Sequence, residues 1–310
     1  MIVSASRRTD IPAFYSPWFF NRLREGYVLV RNPFDPKMIS RVGLGPAVVD
    51  CIVFWTKNPA PMLPRLGELS AYNYYFQYTL NPYGTDLETR LPPLGKRIET
   101  FKRLSDKVGR ERVVWRYDPI LTNAKYNVDF HCEAFARIAH ALRDHTESCM
   151  LGFIDHYRHI RGAVGAFGIE PLRQDEIERM ALSFRRTVGQ VPLTLKTCTV
   201  KVDLRYLGIP AGMCIDAGLV GRIAGYPIAA KKDKAQRQVC NCLESIDIGT
   251  YESCLNGCVY CYAVKGNYNT AEANSRKHDP CSPLLVGHLC DGDVVKVRPV
   301  RSLRIPPTLF

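Results

Sequence analysis

No stretch of the sequence approaches the roughly 20 consecutive apolar residues of a membrane span, so no membrane partner is expected. Met1 leads straight into Ile2-Val3-Ser4 without a basic and apolar leader, so secretion is not expected and a cytoplasmic location is. Internal repeats and low-complexity tracts are also missing, which leaves an ordinary globular chain long enough to bury a sizeable core. No basic helix or ladder of aromatics marks a dedicated nucleic-acid surface. The net charge is nevertheless +12, spread along the chain rather than packed into a tail. That excess suits phosphates of a nucleic acid, an anionic small molecule in a pocket, or simply a solvated basic surface. The sequence is rich in cysteine, with twelve. Without an export signal these read as reduced thiols and metal ligands rather than a disulfide framework.

From Met1 to about Ile215 a short apolar run, a polar or proline-containing turn and a helix-like segment alternate. Strands are expected at 2–6, 27–30, 48–55, 74–80, 112–117, 149–154, 193–198 and, with the least pattern, 212–216. Ser16-Pro17 opens a helix that Gly26 closes, and Asp35-Pro36 opens another that stops near Gly43. Further helices are expected over 94–108, over 130–144 with Asp129 as cap, and over 175–188. Alternation of this kind implies an α/β fold with a parallel sheet, and up to eight strands imply a TIM-like (β/α) barrel, complete or incomplete, over residues 1–228. Lys231, Lys232, Asp233, Lys234, Gln236 and Arg237 read as a solvated linker. Residues 229–310 then form a cysteine-rich segment, with 267–275 and the region around Pro280, Pro283, Pro299, Pro306 and Pro307 expected to be irregular. Such a segment must fold back over the barrel mouth for its cysteines to act on anything bound there.

Nearly every expected strand ends in polar, turn-forming residues. The exits are Arg7-Arg8-Thr9-Asp10, Arg31-Asn32-Pro33, Trp55-Thr56-Lys57-Asn58-Pro59, Thr79-Leu80-Asn81-Pro82, Arg116-Tyr117-Asp118-Pro119 and Asp155-His156-Tyr157. In a parallel barrel these positions share one rim, where active sites are built. Arg7, Arg8, Asp10, Lys57, Arg116, Asp118 and Asp155 are therefore candidate catalytic groups. Asn32, Thr56, Asn58, Asn81 and the later Tyr260 are candidates for holding a cofactor. Taken one at a time, each exit is equally explained by capping of the next helix. His156 and His159 are rim acid–base candidates or plain loop residues, and Trp55 and Trp115 are stacking platforms or barrel packing.

The densest chemistry lies in C-N-C-L-E-S-I-D-I-G-T-Y-E-S-C-L-N-G-C-V-Y-C-Y, residues 240–262. Cys254, Cys258 and Cys261 are spaced C-x3-C-x2-C, too close in the chain to be buried separately as core residues. Gly257 gives the loop freedom to wrap around a soft metal centre. Three thiolates and an unfilled fourth position suit a [4Fe–4S] cluster with one open iron, whereas structural zinc wants four ligands. Cys240 and Cys242, with Cys214 and Cys198 as nearby candidates, suit a second Fe–S cluster or a zinc ion. Alternatively Cys240 or Cys242 is the fourth ligand of the first cluster. Cys51, Cys132 and Cys149 read as small buried hydrophobes.

The C-x3-C-x-Tyr-C spacing resembles the cluster motif of the radical S-adenosylmethionine enzymes, although here it lies late in the chain. With the opening S-R-R-T-D-I-P and the D-I-G between the cysteine groups, the whole chain resembles the DUF1848 family, known for a C-terminal cysteine cluster of radical-SAM type. No Gly-Gly-Glu-type run of that superfamily is evident. The resemblance implies an oxidoreductase or lyase that uses S-adenosyl-L-methionine to generate a substrate radical. It further implies a small-molecule or nucleotide-containing substrate and an electron donor such as flavodoxin or ferredoxin. Two other classes stay open: a protein with a structural Fe–S or zinc centre that binds or modifies nucleic acid, and a thiol-based redox protein using Cys240 and Cys242.

Overall fold

Runs of β-branched and aromatic residues form the strands, and five of those in the larger sheet are buried over most of their length. The computed structural model describes residues 1–200, 202–265 and 268–306. In chain order the elements are β1 (Ile2–Ala5), α1 (Ile11–Phe14), α2 (Ser16–Glu25), β2 (Tyr27–Arg31), β3 (Met38–Gly43), β4 (Cys51–Thr56), β5 (Tyr74–Thr79), α3 (Leu94–Val108) and β6 (Val113–Ile120). There follow α4 (Val128–Leu142), β7 (Ser148–Phe153), α5 (Arg161–Ala166), α6 (Gln174–Val188), β8 (Thr194–Thr197), α7 (Ala217–Ala224), β9 (Ile246–Asp247), α8 (Tyr268–Ser275) and β10 (Val294–Val297).

The large sheet runs β8-β7-β6-β5-β4-β1-β9, with every pair parallel. Strands such as β1 and β4 are almost continuously buried, as expected where both faces are covered. Aromatic stacking joins the layers: Trp115 on β6 lies 4.9 Å from Phe135 on α4, which lies 4.2 Å from Phe184 on α6. The fold is thus α/β with a seven-stranded parallel sheet, as the alternation implies. Its strands add consecutively in one direction from β1 to β8, save for β2 and β3, and β9 returns to the other side of β1. Residues 210–212 run beside β8, and Leu243 joins the same segment at Ile215. Thr197 donates to the Pro210 carbonyl, Gly212 to Thr197, and Leu243 to Ile215.

Four expectations are corrected. The helix from Asp35-Pro36 to Gly43 is instead β3, antiparallel to β2 in a separate sheet ordered β10-β3-β2, so β2 does not belong to the parallel sheet. Asn32 and Asp35 accept from the backbone N–H two residues on, of Phe34 and Lys37, which makes a hairpin turn of the sequence that mimics a helix start. Pairing then places Val28 opposite Val42, both fully buried. Residues 212–216 form no strand; only Ala211 pairs with Thr197 in an isolated bridge. The cap of α4 is Asn127, whose side chain accepts from Phe130 N at 2.9 Å, while Asp129 in the first turn pairs with Arg179 of α6. The region expected to be irregular contains α8; Asn267 and Pro307 lie outside the described residues. No described helix is long and apolar enough to cross a membrane.

Under this frame His131 of α4 is fully buried, 2.8 Å from both the Tyr117 hydroxyl and the Leu121 carbonyl. The carbonyl can only accept, so Nε2 carries the proton and Nδ1 accepts from Tyr117. Burial pulls the imidazole pKa down to about 4. The unfolded chain binds this proton near pH 6.5 and the folded chain does not, so this contribution to stability falls as pH drops through that window. His131→Gln should remove about 2 kcal/mol of the stability difference between about pH 7 and pH 5, read by urea denaturation at the two values.

Candidate functional site

The parallel strands bring their C-terminal ends to one rim, and the loop after β9 lies against it. Together they bound a cleft of about 1270 Å³, larger than the roughly 300–1,000 Å³ of a usual small-molecule pocket. Arg7, Arg8 and Asp10 line it after β1, Asn32 after β2, and Thr56 and Lys57 at the end of β4. Arg116 and Asp118 of β6 and Asp155 after β7 complete that wall. Cys254, Cys258, Tyr260 and Cys261 face the same space, and so do Cys198, Cys214, Cys240 and Cys242. Asn58 and Asn81 stand back from it. Asn58 accepts from Ala60 N at 3.3 Å in a local turn. Asn81 is buried and brackets Asp118, accepting from its N–H at 2.9 Å and donating to its carbonyl at 3.0 Å.

Buried polar contacts seat the cysteine loop. Asp10 caps α1 through Ala13 N at 3.1 Å, and its other oxygen accepts from Lys57 N at 2.8 Å and from the Asn256 side chain at 3.0 Å. Burial raises the Asp10 pKa in spite of those hydrogen bonds. Glu88 is 1% exposed and accepts from Lys57 Nζ at 2.7 Å, from Arg97 at 2.8 Å and from the Tyr260 hydroxyl. Burial alone would lower the Lys57 pKa, but the pKa is raised, with the charge of Glu88 and its hydrogen bond opposing burial, so Lys57 stays an ammonium. Gly257 has φ of +64°, and a Cβ there would collide with the hydroxyl of Thr89, which donates to the Gly257 carbonyl at 3.0 Å. On the other side Asp247 accepts from Ser4 at 2.9 Å, from Arg7 N at 2.8 Å and from Ser6.

The cleft floor is cationic and aromatic. The guanidiniums of Arg7 and Arg116 lie 4.8 and 5.1 Å from the Trp55 ring centre. Arg116 also pairs with Asp118 and donates to Cys214 Sγ at 2.6 Å. Asp155 pairs with Arg237. His159 meets the Tyr262 carbonyl at 3.2 Å, a loop contact rather than an acid–base position.

The thiols fall into two groups. Cys254, Cys258 and Cys261 interact electrostatically with one another, and burial pushes Cys254 and Cys258 up to about 12 and Cys261 to about 11. They are neutral near pH 7, so a metal must displace their protons. In the other group Cys198 and Cys214 lie 3.0 Å apart, and Cys242 accepts from Cys214 N at 3.2 Å. Hydrogen bonds from the Cys214 and Cys240 thiols lower the Cys242 pKa. Cys51 and Cys149 are buried in the core, and Cys281 and Cys290 are exposed. Among the described residues no three His, Cys, Asp or Glu donors already surround one point as the ligands of a single ion do.

A family model described as a domain of unknown function, DUF1848, matches residues 2–263. The chain belongs to the DUF1848 family. The DUF1848 match takes in every strand of the large sheet and all seven cysteines that line the cleft, and it ends two residues past Cys261. No curated protein and no solved structure matches the chain.

Sequence reasoning misses Glu88, Arg97, Asn256 and Asp247, which act through partners distant in the chain. Only Asp247 leaves a trace, in the D-I-G between the cysteine groups. Glu88→Gln should destabilise the protein by about 3–5 kcal/mol, because Lys57 and Arg97 lose their shared counter-charge while buried. A triple Lys57→Met, Glu88→Leu, Arg97→Met variant should lose less, and guanidinium denaturation of the two reads the difference.

Proposed function

We propose that this chain is a cytoplasmic radical S-adenosylmethionine-type enzyme, an oxidoreductase or lyase, whose Cys254, Cys258 and Cys261 hold a [4Fe–4S] cluster at the cleft. The observation that carries the reading is that these three thiols line the same cleft as the polar exits of the parallel strands. The donor chemistry fits a cube. Its three thiolates bind three different irons, so the sulfurs need not surround one point, and no protein thiol is required on the fourth. When bound, the cluster would supply one electron to cleave S-adenosyl-L-methionine and give a 5′-deoxyadenosyl radical. The electron would come from a donor such as flavodoxin or ferredoxin.

The chain's own residues have definable roles around that chemistry. Arg7, Arg8 and Arg116 offer fork-shaped donors to a carboxylate or phosphate, and Lys57 offers a point charge fixed by Glu88. Asp118 and Asp155 can accept from ribose hydroxyls or an α-amino group, with Asn32 and Thr56 as neutral partners on the same wall. Tyr260 is anchored by Glu88, which fixes the loop between Cys258 and Cys261. The cleft has room for a nucleoside-sized cofactor together with a substrate. A TIM-like barrel, incomplete between β8 and β9, agrees with the consecutive strand order, with residues 210–212 beside β8 and with Leu243 joined to Ile215.

Anaerobic reconstitution should give about four irons per chain, and reduction should then release 5′-deoxyadenosine from S-adenosylmethionine. A Cys254→Ala, Cys258→Ala, Cys261→Ala variant should lose both. An intact cluster that leaves S-adenosylmethionine uncleaved would overturn the proposal. The rival is a nucleic-acid-acting protein with a structural centre, favoured by Lys231, Lys234, Arg237, Arg298 and Arg301 at the cleft. It requires retention on DNA or RNA at low salt with a steep loss as salt rises.

A further inference from the structure

Four cysteines outside the C-x3-C-x2-C motif converge from three separate places in the chain. Cys198 follows β8, Cys214 lies in the segment hydrogen-bonded beside β8, and Cys240 and Cys242 precede β9. All four are buried, between 2% and 7% exposed. Their thiols gather in one place: Cys198 Sγ lies 3.0 Å from Cys214 Sγ, Cys242 Sγ accepts from Cys214 N at 3.2 Å, and all four, Cys240 included, line the same pocket. The surroundings are built for negative charge. Arg116 donates to Cys214 Sγ at 2.6 Å, Arg7 lies within electrostatic reach of Cys242 and Cys214, and the buried Nη2 of Arg7 has no hydrogen-bond partner among the described residues. The backbone is held as well, because Tyr75 and Gln77 of β5 both donate to the Cys214 carbonyl, at 2.6 and 2.7 Å.

We propose that Cys198, Cys214, Cys240 and Cys242 bind a single zinc ion as a four-thiolate centre that fastens the two edges of the large sheet to each other. The 3.0 Å separation of the Cys198 and Cys214 sulfurs points to one ion rather than a cube. Thiolates on a tetrahedral zinc stand about 3.8 Å apart for bonds of about 2.3 Å, whereas those on a cube bind different irons and stand farther apart. The four sulfurs do not yet surround one point, so loading opens the Cys198–Cys214 pair by less than about 1 Å and draws the Cys240 and Cys242 side chains in around the ion. Four thiol protons leave to solvent, four Zn–S bonds form, and no electron moves. The centre carries a net charge of about −2, which Arg7 offsets and Arg116, shared with Asp118, offsets in part. Its place in the fold makes it a clamp. Cys198 belongs to the β8 side and Cys240 and Cys242 to the approach to β9, so the ion bridges the gap that strand pairing leaves. Arg7 and Arg116 are held in the cleft by the same centre.

The test is metal analysis of the full chain, purified anaerobically and passed through chelator. About one zinc per chain is expected in the wild type and equally in the Cys254→Ala, Cys258→Ala, Cys261→Ala variant, so this result does not hang on the cluster at the motif. Cys214→Ser with Cys242→Ser should lower retained zinc by about tenfold or more. Should that variant fail to fold, cobalt added to metal-free wild type provides the second reading: thiolate-to-cobalt absorption that one equivalent of zinc abolishes. Absence of both zinc and cobalt absorption overturns the proposal. So does iron retained at about four per chain by the motif variant, or a Cys198–Cys214 disulfide in the purified protein.

Discussion

Glu88 cannot be exposed, and it cannot be left alone. Its carboxylate is almost fully buried and shared among Lys57 at the end of β4, Arg97 on α3 and Tyr260 in the cysteine loop. Each of those groups would be costly to bury without it. One charge therefore ties a sheet end, an outer helix and a loop from the far end of the chain to a common point. Asp10 does the same on a smaller scale, joining the start of α1, the backbone of Lys57 and the Asn256 side chain. These two carboxylates, together with the apolar packing of Tyr260 and Val259 against Tyr83 and Leu87, set Cys258 and Cys261 against the strand ends.

The cleft inherits its character from that arrangement. Lys57 is neutralised by Glu88, whereas Arg7 and Arg116 lie against the Trp55 ring close to thiols. The cationic character thus lies where sulfur is densest. The two thiol groups differ physically. Burial raises the pKa of the motif thiols, whereas in the other group Cys198 and Cys214 touch and Cys242 accepts from the Cys214 backbone.

The pattern of β-branched and aromatic runs is enough to place β1 and β4 to β8, because strands buried on both faces leave continuous apolar signatures. Helices α2, α3, α4 and α6 carry turn residues and an apolar face. Strand β2 is legible, but β3 reads wrongly as a helix because Asp-Pro followed by a distant glycine is written alike for a helix and for a turn between strands; only the Val28–Val42 pairing separates them. Strand β9 is invisible in the sequence, since two residues hold no period and its partner lies at the other end of the chain. The rim residues are legible as a class because a parallel sheet puts all its exits on one side. Their individual roles are not, as Asn81 and Asn58 illustrate: each supports backbone nearby instead of facing the cleft. The convergence of Cys198 and Cys214 with Cys240 and Cys242 can be anticipated from chain position alone, but the arginines that accompany them cannot.

The place of β1 between β4 and β9 has a consequence for how the molecule is made. Val3 pairs with Ile246, and Ser4 bonds Asp247 across 243 positions of sequence. During synthesis at about 5–20 residues per second, the first strand waits more than about ten seconds for its second neighbour. Throughout that time one side of it is an unprotected edge, the kind of surface that recruits strands from other molecules. The nascent polypeptide thus carries β1 half covered through most of its synthesis, and a holdase that shields that edge would guard against pairing with other chains.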